Sequence, residues 1–381
     1  MIYLFFDLYL TGHHSEYIEH LIKYLIKREQ DENRFYFVLN PHFNQQFKAI
    51  SDLTNAREDV NIVCVKELEW ESVMRGSLLR KSFAQFHLMD EYAKKLDANN
   101  IMLLHMNIFQ AALCLKRTSY LIRGILFSQF TRQHIDGKLS DRLRYIRRYL
   151  QTLLLTKNKS LTEVFLLNDK ESCIYLNKEF KTNIFNHLPD PVPELTVDEY
   201  VDIRNEYSIP LENKIFFHFG VLSERKGTID ILRSLFSIPS DLQTGLTLIL
   251  AGKVDNPETV MNLQAIFDDL KRVGNKVQII FKNGFVSNNI KNNLFHQCDF
   301  VLIPYKNVEA SSGVFGHALA ANKAVVGYSK GLLGHMIKNY HLGIIIDKID
   351  LVALSTIKFD NRQNKSQESN VNEFARRVIG I

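Results

Sequence analysis

"DFVLIPYKNVEASSGVFGHALAANKAVVGYS", residues 299–329, reads as strand, loop, helix and strand in succession. The apolar run ends at Pro304, which has no N–H to give a ladder. Glu309 therefore falls in the loop at the carboxyl end of a buried strand. "SSGVFGHALAANKA" follows as a turn and helix, with Ser311 or Ser312 as N-cap. First-turn amides of such a helix, at Gly313 and Val314, can hold a diphosphate. No Lys or Arg lies between Glu309 and His317, so a cation has to reach in from another loop.

The same alternation runs through the chain. "IYLFFDL", "RFYFVL", "NIVCV", "IMLLHM" and "SYLIRGI" are strand-like in the first half. The second half supplies "KIFFHFG", "LTLILAG", "KVQIIFKNG", "DFVLIPY", "AVVGYS" and "GIIID". Helix-period stretches separate them; in "SEYIEHLIKYLIKREQ", Tyr17, Ile18, Leu21, Ile22 and Leu25 share a face. Near-continuous apolar strands between helices predict parallel sheets covered on both faces, an α/β fold. The proline-rich "FNHLPDPVPELTVDEY", residues 185–200, predicts a linker, a short helix and a fresh strand at Lys214. Two α/β domains meeting near residue 190, with a cleft between them, are expected to bind ligand at the carboxyl ends of strands. After Asp350 the chain turns polar before a last helix, "VNEFARRVIGI".

At 381 residues there is chain enough for two cores, and a net charge of +5 is too mild and dispersed for a nucleic-acid surface. Cys64, Cys114, Cys173 and Cys298 stand apart, signalling neither a zinc site nor a redox pair. "IMLLHMNIFQAALCL" is short and interrupted by His105, Asn107 and Gln110, so no spanning segment is expected. The N-terminus reads as a first strand without a basic leader, and a cytoplasmic protein is expected. No HExxH, Gly-x-Ser-x-Gly or Asp-x-Asp occurs, and no metal or other cofactor is expected.

"FFHFGVLSERKGTIDIL", residues 216–232, is the second chemical signal. A strand ends at Gly220, a polar turn carries Arg225 and Lys226, and Gly227-Thr228 opens a helix. Helix amides and a cation then face the same place, which suits a phosphate, although a solvated Lys at a helix start has the same pattern.

Together these stretches resemble the second domain of GT-B glycosyltransferases of the retaining family 4 type (glycosyl transferases group 1). The likeness spans roughly residues 205–350, through "LILAGKVDN", "VQIIFKNGFVSNNIKNNLFHQCDFVLIPY", "EASSGVFGHALAANKAVVG" and "SKGLLGHMIKNYHLGIIID". Residues 1–200 are similar only through "TGHHSEYIEHLIKYL", and "LPDPV" resembles the link between domains. The resemblance implies two Rossmann-like domains facing across a cleft. Residues 1–190 would be the acceptor side, with the helix at 365–381 folded back on it, and residues 191–364 would bind a nucleotide-sugar donor.

It further implies that Lys226 neutralises the leaving diphosphate and that Glu309 holds the donor sugar's hydroxyls. Gly12, Gly220, Ser312, Gly313 and Val314 would lie against phosphates, and Phe285 and Val286 would line the base. Three positions depart from the family pattern. His317 stands where a ribose-binding Glu is expected. Val221 replaces a basic residue, for which Arg225 could substitute. Arg123 replaces a strand-end His, as an electrostatic clamp at most, with His105 as the alternative strand-end His.

The implied reaction is sugar transfer to a glycan or lipid-linked acceptor in cell-surface polysaccharide or glycoconjugate synthesis. Epimerase or phosphorylase chemistry on the same scaffold is the alternative among enzymes. The departures leave a non-catalytic protein, binding a sugar nucleotide or a partner glycosyltransferase, as another. "DGKLSDRLRYIRRYLQTLLLTKNK", residues 136–159, carries Leu139, Leu143, Ile146, Leu150, Leu153 and Leu154 on one face, with Arg142, Arg144, Arg147, Arg148, Lys157 and Lys159 mostly elsewhere. It fits either a helix packed on the core with a solvated basic side or one docked on the inner face of a membrane.

Overall fold

The computed structural model describes residues 1–10, 14–133, 139–192, 195–306, 312–339, 341–359 and 370–381. The chain forms two compact units, Met1–Pro191 with Gln367–Ile381, and Val192–Ser366. Each is an all-parallel sheet with helices.

In the first unit the strands are β1 (Ile2–Asp7), β2 (Arg34–Leu39), β3 (Val60–Cys64), β4 (Asn100–Leu103), β5 (Leu121–Leu126), β6 (Leu161–Leu167) and β7 (Phe185–Leu188). Their order is β3-β2-β1-β4-β5-β6-β7. Side chains of a strand alternate between faces, and here both faces are buried. Leu4 and Phe6 join one core with Met89 and Phe109, while Tyr3 and Phe5 join the other with Tyr17, Ile18, Leu21 and Phe374. Five of these strands are the runs expected from sequence. β6 and β7 were not among them, and β7 occupies the start of the segment read as a linker. Only the chain beyond it, at Pro189 and Pro191, is free of strand.

The second unit holds β8 (Lys214–Phe219), β9 (Leu246–Gly252), β10 (Gln278–Asn283), β11 (Phe300–Leu302), β12 (Ala324–Tyr328) and β13 (Gly343–Ile346). All six are the expected runs, in the order β10-β9-β8-β11-β12-β13. Phe216, Leu248 and Leu250 face one core, and Phe217, Ile249 and Ala251 the other. The helix Asn288–Gln297 explains its own Asn-rich sequence. Asn289, Asn293 and Gln297, one helical turn apart, bond Glu199, Val201 and Ile203 much as a neighbouring strand would. The extended entry to this unit is thereby fixed.

The basic helix is Leu139–Leu155. Its aromatic face turns inward: Tyr145 and Tyr149 meet Phe130 edge-on, and Tyr149 meets Phe180 at 5.0 Å. The leucine stripe, which core packing would have buried, points to solvent instead, except for half-buried Leu153. Large rings fill the broad space beside Phe130, so the tyrosines take the inward positions. Among the described residues no helix is long and apolar enough to cross a membrane.

Candidate functional site

In an open parallel sheet, ligands bind where the strand order reverses, because the loops leaving the two strands there diverge. In the second unit that point lies between β8 and β11. β8 leads away to β9 on one side, and β11 to β12 on the other.

The loop leaving β8 is held from beneath by a single hydrogen-bond chain. His218 is wholly buried in β8, with Nδ1 2.9 Å from the carbonyl of Leu302 in β11. A carbonyl only accepts, so Nδ1 carries the proton and Nε2 is the acceptor. The Thr228 hydroxyl donates to Nε2 at 2.9 Å, and its oxygen accepts the Ser223 N–H at 3.0 Å. Ser223 Oγ in turn accepts the Lys226 N–H at 3.3 Å. Burial pushes the imidazole down to about 4, and the charge of Lys226 acts in the same direction. His218 is thus a neutral post joining β8, β11 and the turn.

Two glycines make this turn possible. Gly227 has φ +77° and a side chain there would strike the Pro304 carbonyl, so turn and β11 touch backbone to backbone. Gly220, at φ +104°, lies under Lys226, whose Nζ is 3.0 Å from where a Cβ would stand. The same ammonium sits over the Tyr305 ring, 5.1 Å from its centre. Among the described residues no carboxylate pairs with it. Lys306 braces the outside of the turn, its N–H bonding the Arg225 carbonyl at 2.9 Å and its ammonium 3.1 Å from both Glu224 and Asp230.

The other predicted residues fall as follows. Ser312 is buried at the N-cap of the helix Gly313–Ala320 and its hydroxyl donates to the Tyr305 hydroxyl at 3.4 Å. Its carbonyl accepts the Phe315 N–H. Gly313 and Val314 form the first turn, so Lys226, Tyr305 and this helix start converge on the β8–β11 point. Val314 lies 3.9 Å from a Cβ built on Gly220. His317, one turn on, is buried with its ring 5.3 Å from Phe295. Arg225 is exposed. Phe285, almost fully exposed, and Val286, packed on the core, follow β10, two strands from Lys226. Gly12 and Glu309 lie outside the described residues.

In the first unit the order reverses between β1 and β4. His105, just past β4, is there among Tyr9, His14 and Phe127, at centroid distances of 4.9, 5.1 and 5.4 Å. Its Nδ1 is buried without a partner among the described residues, and desolvation pushes it down to about 4. Asp7, buried at the end of β1, holds His14 Nδ1 at 2.6 Å and accepts the Tyr9 N–H. This pair escaped the sequence reading, although an acid closing the apolar "IYLFFD" was a signal for it. Arg123 stands mid-strand in β5 rather than at a strand end. Its guanidinium donates to the Ile379 carbonyl at 2.7 Å and pairs with Glu163 at 3.5 Å, so it holds the last helix, Val371–Ile379. Tyr305 and His218 also went unread.

Residues 200–358, which include the whole β8–β11 site, match the family model described as glycosyl transferases group 1. Over essentially its whole length the chain is similar to solved structures. WaaG, a glycosyltransferase involved in lipopolysaccharide biosynthesis, superposes with TM-score 0.60 at 16% identity, covering 100% of this chain and 95% of that one. HepE from Anabaena, in complex with UDP-glucose, gives 0.63 at 14%, covering 99% and 94%. Sucrose-phosphate synthase from Thermosynechococcus elongatus gives 0.66 at 13%, covering 100% and 94%. At such identities the likeness is one of fold, two Rossmann-like units of the GT-B kind. No curated protein matches the chain in sequence.

Proposed function

We propose that this chain, whose residues 200–358 are a glycosyl transferases group 1 domain within a GT-B fold, transfers a sugar from a nucleoside diphosphate donor to a glycan or lipid-linked acceptor. One observation carries the reading. Lys226 presents an ammonium with no carboxylate partner among the described residues, at the strand-order reversal and beside a helix start. Such an arrangement holds an anion without reorganising, and it is the diphosphate that gains charge as the sugar departs.

In this reading the acceptor oxygen forms a bond to the anomeric carbon as the bond to the diphosphate oxygen breaks. The electron pair leaves with the nucleoside diphosphate, whose phosphate takes the acceptor's proton, and configuration is retained. Lys226 and the first-turn amides of Gly313 and Val314 stabilise the departing charge, and no metal is required. Glu309 orients the sugar through its hydroxyls; Gly12 approaches the phosphates, and Phe285 and Val286 line the base. The setting is cytoplasmic synthesis of cell-surface polysaccharide or glycoconjugate. UDP-glucose, the ligand of HepE, is the first donor to try.

A second reading, a binder of sugar nucleotides without turnover, is favoured by His317, buried against Phe295 where a ribose-binding Glu is expected. A thermal-shift screen with UDP, GDP, ADP, CMP and their sugar conjugates, with and without EDTA, separates these. A ligand that binds only the folded protein raises its melting temperature. Stabilisation by one base that survives EDTA, with release of nucleoside diphosphate from its sugar conjugate, is the expected result. Stabilisation without release selects the binder, and no response to any nucleotide removes the nucleotide-sugar reading.

A further inference from the structure

The helix Leu139–Leu155 exposes what a soluble helix ordinarily hides. Leu139 is 72% exposed, Leu143 58%, Ile146 53%, Leu150 51% and Leu154 48%. At about 100° per residue these five fall within an arc of roughly 80°, centred about 130° from the face that Tyr145, Tyr149 and Thr152 turn to the core, with half-buried Leu153 at one border. The stripe meets the core only through Leu153 and otherwise forms an apolar face of its own towards solvent. Scattered exposed leucines need no explanation, whereas an unbroken row over four turns does.

Its borders are cationic. On the same wheel Arg142 flanks the stripe on one side and Arg147 on the other, both exposed, with Arg144 beyond Arg147. Lys157 and Lys159 continue the charge past the helix end, and Asp141 is the one acid between Leu139 and Lys159. An apolar row between cationic margins is complementary to the boundary of an anionic bilayer. Leucine side chains enter the acyl region while guanidinium groups remain at the headgroups. A second copy of the chain fits less well. A two-fold pairing of these helices would set arginine rows against one another, with only Asp141 to offset them, where paired helices use opposite charges.

We propose that Leu139–Leu155 is a membrane-surface anchor that lays its leucine stripe into the interface of an anionic bilayer. The inference is independent of the sugar-transfer reading. It also gives the expectation of a peripheral site on the inner face of the membrane a defined surface.

The test is co-sedimentation of the full chain with vesicles of phosphatidylcholine alone and of equimolar phosphatidylcholine and phosphatidylglycerol. Partitioning into the mixed vesicles is expected to exceed that into the neutral ones by about tenfold or more, and to fall as salt screens the arginines. The variant Leu143→Ser/Ile146→Ser/Leu150→Ser changes only exposed positions, so its thermal melt should match the wild type while its partitioning falls by about tenfold. Arg142→Glu/Arg147→Glu should abolish the preference for the anionic lipid. The proposal is overturned if the wild-type protein ignores phosphatidylglycerol, or if the serine variant partitions as the wild type does. It is equally overturned if sedimentation velocity shows a dimer that the serine variant dissolves while vesicles bind neither protein.

Discussion

The ammonium of Lys226 rests 5.1 Å above the ring centre of Tyr305, and the two residues come from loops leaving β8 and β11, the strands between which the sheet order reverses. An aromatic face steadies a cation by about 0.5–2 kcal/mol without neutralising it. The charge thus stays available to an anion while its position is fixed. Gly220 leaves room beneath it, and the His218–Thr228–Ser223 chain fixes the backbone from which it springs.

Thr228→Val keeps the shape of the side chain and removes its hydroxyl. His218 Nε2 loses its donor and the Ser223 N–H its acceptor, both in a buried setting. Chemical denaturation should show a loss of about 1–3 kcal/mol, and UDP affinity should fall with it as the turn loosens. Unchanged stability would mean that the chain of bonds does not hold the turn.

Stability should also fall in mild acid. His218 and His105 are each pushed by burial down to about 4, below the ordinary histidine value of about 6.5. Between those values the unfolded chain binds protons that the folded chain refuses. Each imidazole's contribution is therefore intact above about pH 6.5 and drains away as pH falls towards 4, up to about 3 kcal/mol apiece. Denaturation at stepped pH checks this, and His105→Phe should flatten the slope.

Two glycines with similar left-handed backbones should respond differently to alanine. Gly227, at φ +77°, would drive a Cβ into the Pro304 carbonyl, whereas Gly274, at φ +68°, has open space around it. Gly274→Ala should cost only the conformational part, about 1–2 kcal/mol. Gly227→Ala should cost clearly more and weaken UDP binding as well. Equal melting temperatures for the two variants would contradict the close approach of turn and strand.

Glu309→Ala should abolish release of nucleoside diphosphate from the donor that the thermal-shift screen identifies, while UDP itself binds within about twofold of wild type. Such a split separates an interaction with the sugar from one with the diphosphate. Normal turnover in this variant would remove Glu309 from the reaction.

The fold could be read from the sequence where short apolar runs alternate with helix-period segments. All six strands of the second unit are built on such runs, although β8 and β10 also carry Lys214, His218, Gln278 and Lys282, and most are closed by Gly or Pro. β6 was lost because Thr162 and Glu163 interrupt "LTEVFLL" near its start, and β7 because its four residues run straight into prolines. Lys226 and the Gly313 helix start were readable because local turn chemistry marks them. His218 was not, since one His in an apolar strand says nothing of partners 10 and 84 residues away. The direction of the Leu139–Leu155 stripe was equally hidden. Periodicity gives the face, but the rings of Phe130 and Phe180 decide which face turns inward.

Calorimetric titration of UDP into the wild-type protein and into Lys226→Ala tests the diphosphate site most directly, with GDP and ADP as controls for the base. A charge-assisted hydrogen bond of about 1.5–3 kcal/mol predicts affinity lowered by roughly 10- to 100-fold in the variant, with the melt unchanged. Equal affinity in the two proteins would contradict the role given to Lys226, and no binding of any of the three nucleotides to the wild type would contradict the diphosphate site itself.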